Sequence, residues 1–195
     1  LEIKGNGDLI IDSFATVGIG IGNDFEHSYG DIFINMTGSI EIMSNNEDTV
    51  CIGGGYNTDD SEIKIISGYI KVDMHSKNSL AIGSFNGNAI IDISHPSKLD
   101  IFMSGIKAVA IGSFYNNSEI KSGADIDISC SGAQAIGIGT LNNGTGNINI
   151  NESKINIKMR SARHSCIGTY AGNMIIKISD SNIKVDSEGD EAVGI

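Results

Sequence analysis

The stretch Val109-Ala110-Ile111-Gly112 contains the motif that decides the fold, a small residue followed by isoleucine and glycine. The complete copies are Gly18-Ile19-Gly20, Cys51-Ile52-Gly53, Ala81-Ile82-Gly83, Ala110-Ile111-Gly112, Ala135-Ile136-Gly137 and Cys166-Ile167-Gly168, and a seventh starts at Gly194-Ile195. From isoleucine to isoleucine the steps are 33, 30, 29, 25, 31 and 28 residues. A period near 30 residues predicts a repeat protein in which each repeat is one supersecondary unit stacked on its neighbours.

Two further apolar segments follow the motif in each repeat. In one of them, typified by Ile126-x-Ile128-x-Cys130, apolar and polar residues alternate, as is typical of a strand buried on one side. The other is represented by Ile32-x-Ile34, Ile63-x-Ile65, Ile91-x-Ile93, Ile148-x-Ile150 and Ile176-x-Ile178. It appears shortened to Glu119-Ile120-Lys121 in the fourth repeat, which we take as the cause of the 25-residue step.

The motif is the third segment, and a valine or leucine often stands two residues before its isoleucine. Gln134 and Ser165 interrupt that pattern, so the sequence leaves open which of its side chains point inward.

Three short strands in each repeat predict an all-β fold, a single-stranded parallel β-helix (solenoid) of about six to seven turns. A β-sandwich need not return to the same residue at every third strand, and a propeller blade needs four strands and about 40 residues. We expect residues 1–195 to form one β-helix domain. Since both ends fall within a turn, we expect a fragment of a longer surface protein, capable of end-to-end or edge association.

Composition limits the partners that we expect. The chain of 195 residues carries a formal net charge of −11, and its only arginines are Arg160 and Arg163. Nucleic acids and anionic membrane surfaces require basic patches, so on charge grounds we expect neither as a partner. No apolar run approaches the roughly 18 residues of a membrane-spanning helix, so we expect no membrane insertion.

The three cysteines are predicted to be free packing residues. Cys51 and Cys166 occupy the small position of the motif, four turns apart. At about 4.8 Å per turn they are roughly 19 Å apart, beyond the ~7 Å limit for a disulfide. Cys130 falls in register with Met74, Met103 and Met159 on the inward side of its strand.

The pattern A-I-G-x-[FG], G-x-I-x-I and x-I-x-[IV]-x-[MS], which covers nearly the whole chain, resembles the glycine-rich repeats of bacterial cell-surface proteins. Those repeats are associated with the right-handed parallel β-helix group that includes pectate-lyase-like and carbohydrate-binding proteins. The resemblance implies a right-handed solenoid, an extracellular or bacterial cell-surface location, and a polysaccharide or host glycan as partner. Parallel crossovers are also right-handed in general.

Aromatic residues provide the first candidate site. Phe85, Phe114 and Tyr170 each stand three residues after a motif isoleucine, and Tyr115 follows Phe114. On successive turns, the rings of Phe85 and Phe114 would stack about 4.8 Å apart. An exposed ladder of this kind would bind sugar rings, whereas a buried one would serve packing, which is the commoner role of aromatics.

Acidic corners provide the second candidate. Calcium takes six to eight oxygen ligands, and Asp59, Asp60 and Glu62 are the favoured place for it; we expect no other cofactor. Arg160, Arg163 and His164 form a cationic cluster that we interpret as a solvated corner, with a catalytic or uronate-binding role as the alternative.

These features favour a non-enzymatic bacterial surface or adhesion segment that binds carbohydrate. The alternative is a polysaccharide lyase or hydrolase of the pectate-lyase-like fold. Such hydrolases need paired carboxylates on one face, and the outward acids of this sequence look scattered among lysine and asparagine.

Overall fold

The computed structural model describes residues 1–13, 16–28, 30–57 and 61–195, and this part of the chain is all-β, with parallel strands stacked as a β-solenoid of about six turns. The predicted fold class is therefore confirmed. The strands are β1 (Glu2–Gly5), β2 (Leu9–Ser13), β3 (Val17–Ser28), β4 (Ile32–Ser44), β5 (Asp48–Asn57), β6 (Glu62–Met74), β7 (Asn78–Gly87), β8 (Ala89–Ile93), β9 (Lys98–Ser113), β10 (Ser118–Ser122), β11 (Asp125–Thr140), β12 (Gly144–Asn151), β13 (Lys154–Thr169), β14 (Gly172–Ser179), β15 (Asn182–Ser187) and β16 (Glu191–Val193).

The strands form three parallel sheets because several of them bend through a corner and contribute to two. Sheet 1 contains β1, the first halves of β4 and β6, and then β8, β10, β12 and β14. Sheet 2 contains β2, the second halves of β4 and β6, the first halves of β9, β11 and β13, and β15. Sheet 3 contains β3, β5, β7, the second halves of β9, β11 and β13, and β16.

The core lies between the three sheets and consists of stacked columns of identical or similar side chains. Ile101, Ile128 and Ile157 pair directly in register on β9, β11 and β13, and each is buried. Cys130 occupies the next inward position, between Met103 and Met159. The inward register predicted for sheet 2 is thus confirmed.

The register predicted for the motif is wrong in two copies. The isoleucines that pair across the turns are Ile21, Ile52, Ile82, Ile111, Ile138 and Ile167, so Ile19 and Ile136 are not the motif residues. The true steps are 31, 30, 29, 27 and 29 residues.

The fourth repeat is consequently not short in sheet 1. Strand β10 pairs along its full five residues with β8 and β12, and buried Ser122 takes the position of Ile93 and Ile150. The 25-residue step was a consequence of the register error.

The glycine that ends each motif explains why the chain selects this register. Gly22, Gly53, Gly83, Gly112, Gly139 and Gly168 all have φ between 126° and 148°, a region that side chains other than glycine rarely adopt. A Cβ on any of the first five would run into the carbonyl oxygen of the equivalent glycine one turn further on. At the corrected positions the residue after the isoleucine is therefore glycine because of its backbone conformation.

Sheet 3 buries both of its sides, which settles the direction that the sequence left open. Ala108, Ala110 and Ile111 face the main core, whereas Val109 belongs to a second apolar layer outside the sheet. We call this the outer layer; its fully buried members are Val50, Leu80, Val109, Phe114, Ile136 and Leu141, and Ile19 and Phe85 pack against it. Ile136 takes the position of Val109, so Gln134 does not interrupt the apolar pattern after all.

The cysteines are free and buried, as expected. Loss of solvent around the thiols raises the pKa of Cys51 and Cys166, and it raises the pKa of Cys130 to about 12. They therefore act as small packing residues.

Candidate ligand-binding groove

The outer surface of sheet 2 carries an open groove of about 430 Å³ across β6, β9, β11, β13 and β15. Because side chains alternate along a strand, each turn that buries its isoleucines presents two outward side chains to this groove. The volume lies within the range of sites for small ligands. The groove is rigid, since its floor is the paired backbone of five strands.

The outward side chains form two columns that run along the solenoid axis. The first column is Lys71, Asp100, Asp127, Asn156 and Lys184; the second is Asp73, Phe102, Ser129, Lys158 and Asp186. Adjacent members of a column are about 4.8 Å apart at the backbone, and the two columns are about 7 Å apart. Acidic residues therefore gather at the β6–β11 end, and lysines dominate the opposite end.

At the acidic end, hydrogen bonds fix two of the carboxylates. Tyr69 donates its hydroxyl to Asp100 Oδ2 at 2.5 Å, a bond that raises the pKa of Tyr69 to about 12 because ionisation would place two negative charges together. Lys98 Nζ lies 3.5 Å from the same oxygen and 4.9 Å from the centre of the Tyr69 ring. Asn156 donates to Asp127 Oδ1 at 2.6 Å.

Phe102 stands among these carboxylates with 45% of its surface exposed. The ring of His75 packs edge-on against it, with the centroids 5.6 Å apart and the planes at 61°. His75 is itself held, because Nδ1 is hydrogen-bonded to Ser104 Oγ at 2.7 Å and Nε2 lies 3.2 Å from Asp73 Oδ1. The Phe102 ring is therefore partly open to solvent and contacts a histidine that is itself held by hydrogen bonding.

At the basic end, Asp186 is already neutralised. Arg160 donates to Asp186 Oδ2 at 2.8 Å, and this hydrogen bond lowers the pKa of Asp186. Arg160 Nε also lies 3.2 Å from Glu188. Lys158 and Lys184 form no ion pair with any residue that the structure describes, so their charges remain open to a ligand.

The aromatic residues singled out in the sequence separate into two environments. Phe114 is fully buried in the outer layer, and Phe85 stacks on it with centroids 4.4 Å apart and an interplanar angle of 18°. These two rings serve packing. Tyr115 is 41% exposed and contacts both of them, at centroid distances of 6.0 and 6.1 Å.

Tyr170 does not continue the ladder. On the turn between Phe114 and Tyr170, the equivalent position is held by Leu141. Tyr170 itself is 36% exposed and donates its hydroxyl to Glu191 at 2.6 Å. No continuous aromatic surface therefore joins the four predicted residues.

The candidate calcium corner falls mostly outside the described residues, which do not include Asp59 and Asp60. Glu62 begins β6, and its backbone N–H donates to Asp31 Oδ1 at 3.0 Å. Within the described ranges, no three His, Cys, Asp or Glu side chains are grouped so as to hold a metal ion.

The cationic cluster is divided by the sheet. Arg160 and Arg163 lie outside and pair with acidic residues, Arg163 with Glu191 at 3.3 Å. The interpretation as a solvated corner is wrong for His164, which is fully buried because it occupies the inward position of Ala108 and Ala135. Its ring nitrogens lie 2.8 Å from Ser161 O and 2.6 Å from Ser187 Oγ.

Sequence reasoning missed the groove because it treated outward residues as spacers between core positions. A signal was present at Phe102, an aromatic residue at an outward strand position where other turns carry Asp12, Met43, Asp73, Ser129 and Lys158. Phe102 is therefore the one aromatic side chain in this outward column.

The fold and this groove define the chain as a parallel β-solenoid in which one sheet has a charged outer face with one aromatic ring, that of Phe102. No protein family matches the chain, and comparison with curated proteins and with solved structures found no significant match. None of the described residues forms a helix with the length and apolarity needed to cross a membrane.

Proposed function

We propose that the chain is a non-enzymatic carbohydrate-binding segment of an extracellular, bacterial cell-surface protein with a role in adhesion. The observation that carries this proposal is the exposed ring of Phe102, held by His75 and flanked by the carboxylates of Asp100 and Asp127 in a rigid groove. Sugar rings have one apolar face and a rim of hydroxyl groups. An aromatic platform beside hydrogen-bond acceptors suits both.

The architecture supports the same function. Successive turns repeat the same backbone at a spacing of about 4.8 Å, so the groove presents an extended array to a polymeric ligand. The surface location rests on the resemblance of the repeats to those of bacterial cell-surface proteins. A solenoid built from parallel strands provides a stiff support for an adhesive face.

Calorimetric titration of neutral and charged oligosaccharides tests this proposal. We expect Phe102→Ala to weaken binding by tenfold or more, which corresponds to about 1.4 kcal/mol. Tyr115→Ala removes a similarly exposed aromatic ring from another part of the molecule and should leave affinity unchanged. Loss of binding in Tyr115→Ala but not in Phe102→Ala would transfer the site to the aromatic residues predicted from sequence. Absence of binding to every oligosaccharide would refute the proposal.

A polysaccharide hydrolase is a second candidate, because Asp100 and Asp127 are direct neighbours on adjacent turns of sheet 2. Retaining glycosidases hold two carboxyl groups about 5 Å apart, close to the spacing of turns in a parallel sheet. Release of reducing ends from a bound oligosaccharide, abolished by Asp127→Asn, would establish this activity in place of simple binding.

A further inference from the structure

We infer that the groove selects an oligosaccharide that carries a free amino group and, about two turns further along the solenoid, a carboxylate. This inference rests on the proposed function of the same groove, and it specifies the ligand class. It follows from the order of charges in the two outward columns of sheet 2.

Some of the charges in the groove already have a partner in an ion pair within the protein. Lys71 pairs with Glu41 on the preceding turn, and Asp186 pairs with Arg160. Asp100 has Lys98 at 3.5 Å on its flank. Asp127, by contrast, forms no ion pair with any described residue, although it stands directly beside Asp100 in register.

Two neighbouring carboxylates repel each other across a parallel sheet, so a cation placed over them is favoured. Asp100 Oδ2 already accepts from Tyr69 and Asp100 Oδ1 is closed to solvent, so the exposed carboxylate of Asp127 is the one that a ligand cation can reach. An ammonium group offers three donors and a full positive charge. The β9–β11 part of the groove is therefore suited to the amino group of an amino sugar whose ring lies on Phe102.

The β13–β15 end of the groove is suited to an anionic group of the ligand instead. Lys158 and Lys184 lie diagonally across β13 and β15, and Asp186, which pairs with Arg160, stands beside Lys158 in register. The neutral side chain of Asn156 separates Lys184 from Asp127 in the first column. From Asp127 to Lys184 the backbone advances two turns, roughly 10 Å. This distance exceeds the width of one sugar ring, so the amino group and the carboxylate must belong to different sugars of one chain.

The test uses four tetrasaccharides in calorimetric titrations at moderate salt: an N-acetylated chito-oligosaccharide, its de-N-acetylated form, an oligogalacturonate, and a chain of alternating uronate and unsubstituted glucosamine. We expect the mixed chain to bind at least tenfold more tightly than each of the other three. Its affinity should fall as salt rises, because opposite charges are screened.

Variants that remove a single charge test which end of the groove binds the amino group and which end binds the carboxylate. Asp127→Asn should remove the preference for the mixed chain over the oligogalacturonate, and Lys184→Gln should remove its preference over the de-N-acetylated chain. Asp92→Asn and Lys64→Gln make the same changes on the outer side of sheet 1 and should have no effect. All four positions are at least partly exposed, so the variants are expected to fold.

The failure of this inference differs from failure of the proposed function. If the neutral, cationic or anionic chain binds as well as the mixed one, or if Asp127→Asn and Lys184→Gln have no effect, the charge selection is wrong. In that case Phe102→Ala still weakens binding and the carbohydrate site stands. If no tetrasaccharide binds, both proposals are wrong.

Discussion

At the scale of single residues, the glycine that ends each motif sets the geometry of sheet 3. Its positive φ is a backbone conformation that other residues rarely adopt, and its missing side chain lets the next turn approach at backbone distance. The residue before the isoleucine is small in every copy. At the corrected positions it is Gly20, Cys51, Ala81, Ala110, Gly137 and Cys166, and a Cβ on Gly20 would lie 2.6 Å from the carbonyl oxygen of Cys51.

Replacement of two equivalent glycines by alanine separates backbone strain from steric conflict. Gly112 and Gly168 have φ of 139° and 133°, so both substitutions carry a backbone cost of roughly 1–3 kcal/mol. Only at Gly112 would the new methyl group also meet a carbonyl oxygen, that of Gly139, which adds roughly 1–3 kcal/mol. Urea unfolding should therefore show Gly112→Ala to be clearly the less stable variant. Equal losses of unfolding free energy in the two variants would mean that adjacent turns move apart easily to make room for the methyl group.

The buried cysteines make a prediction about chemistry and pH. Cys51, Cys130 and Cys166 should resist thiol reagents until the protein unfolds, because the reactive thiolate is disfavoured and enclosed. Their folded pKa values lie above the unfolded value of 9.0, so above about pH 9 the unfolded chain binds fewer protons than the folded one. The free energy of unfolding must then fall as pH rises.

Comparison with the triple Cys→Ala variant isolates the part of the pH dependence of the unfolding free energy that the cysteines cause. The variant should show a shallower decline of stability between about pH 9 and pH 11, whatever its stability at neutral pH. Rapid labelling of Cys51 or Cys166 in the folded wild type would show instead that the small column is open to solvent.

At the scale of elements, the strand pattern was predictable and the register of sheet 3 was not. Alternation along β11 gives the inward side of Ile126 and Ile128 unambiguously. In Ala135-Ile136-Gly137-Ile138-Gly139, however, Ile-Gly occurs twice, two residues apart. A slip of two residues keeps every side chain on its own side, so hydrophobic alternation cannot distinguish the two alignments.

The packing of the outer layer distinguishes the two alignments, but this packing is visible only in the folded structure. The alignment on Ile138 places apolar Ile136 against Phe114 and Leu141, whereas alignment on Ile136 would have placed Gln134 there. The sequence pattern contained this preference, since valine or leucine usually precedes the motif by two residues. Recognising it required knowing that both sides of sheet 3 are covered, which no strand pattern shows by itself.

The candidate site is an element-scale property too. Phe102, Asp127 and Lys184 are separated by tens of residues in sequence, and they come together only through the parallel register of β9, β11, β13 and β15. Once the register of sheet 2 is known, the groove follows from reading its outward positions in order. The order of the charges, rather than their number, is the basis of the ligand class that we propose.

At the scale of the whole molecule, the solenoid is a one-dimensional stack in which each turn contacts only its neighbours. Its stability is then the sum of the turns and the interfaces between them. Damage to one turn in the middle should remain local, unlike damage in a globular core, where the packing is shared by all elements. The groove on sheet 2 spans five consecutive turns, so its shape depends on every interface from β6 to β15.

Ile128→Ala tests this picture in the central part of the groove. The side chain is 3% exposed and stacks between Ile101 and Ile157, so its truncation should cost roughly 2–5 kcal/mol. Hydrogen exchange should show protection lost in β9, β11 and β13 but retained in β4 and β5, and the unfolding transition should broaden. Asp127→Asn, one residue away on the outward side, should change stability by less than about 0.5 kcal/mol. If protection instead falls equally along the whole chain, the turns unfold as one unit, and a rigid groove is then maintained by cooperativity rather than by local stacking.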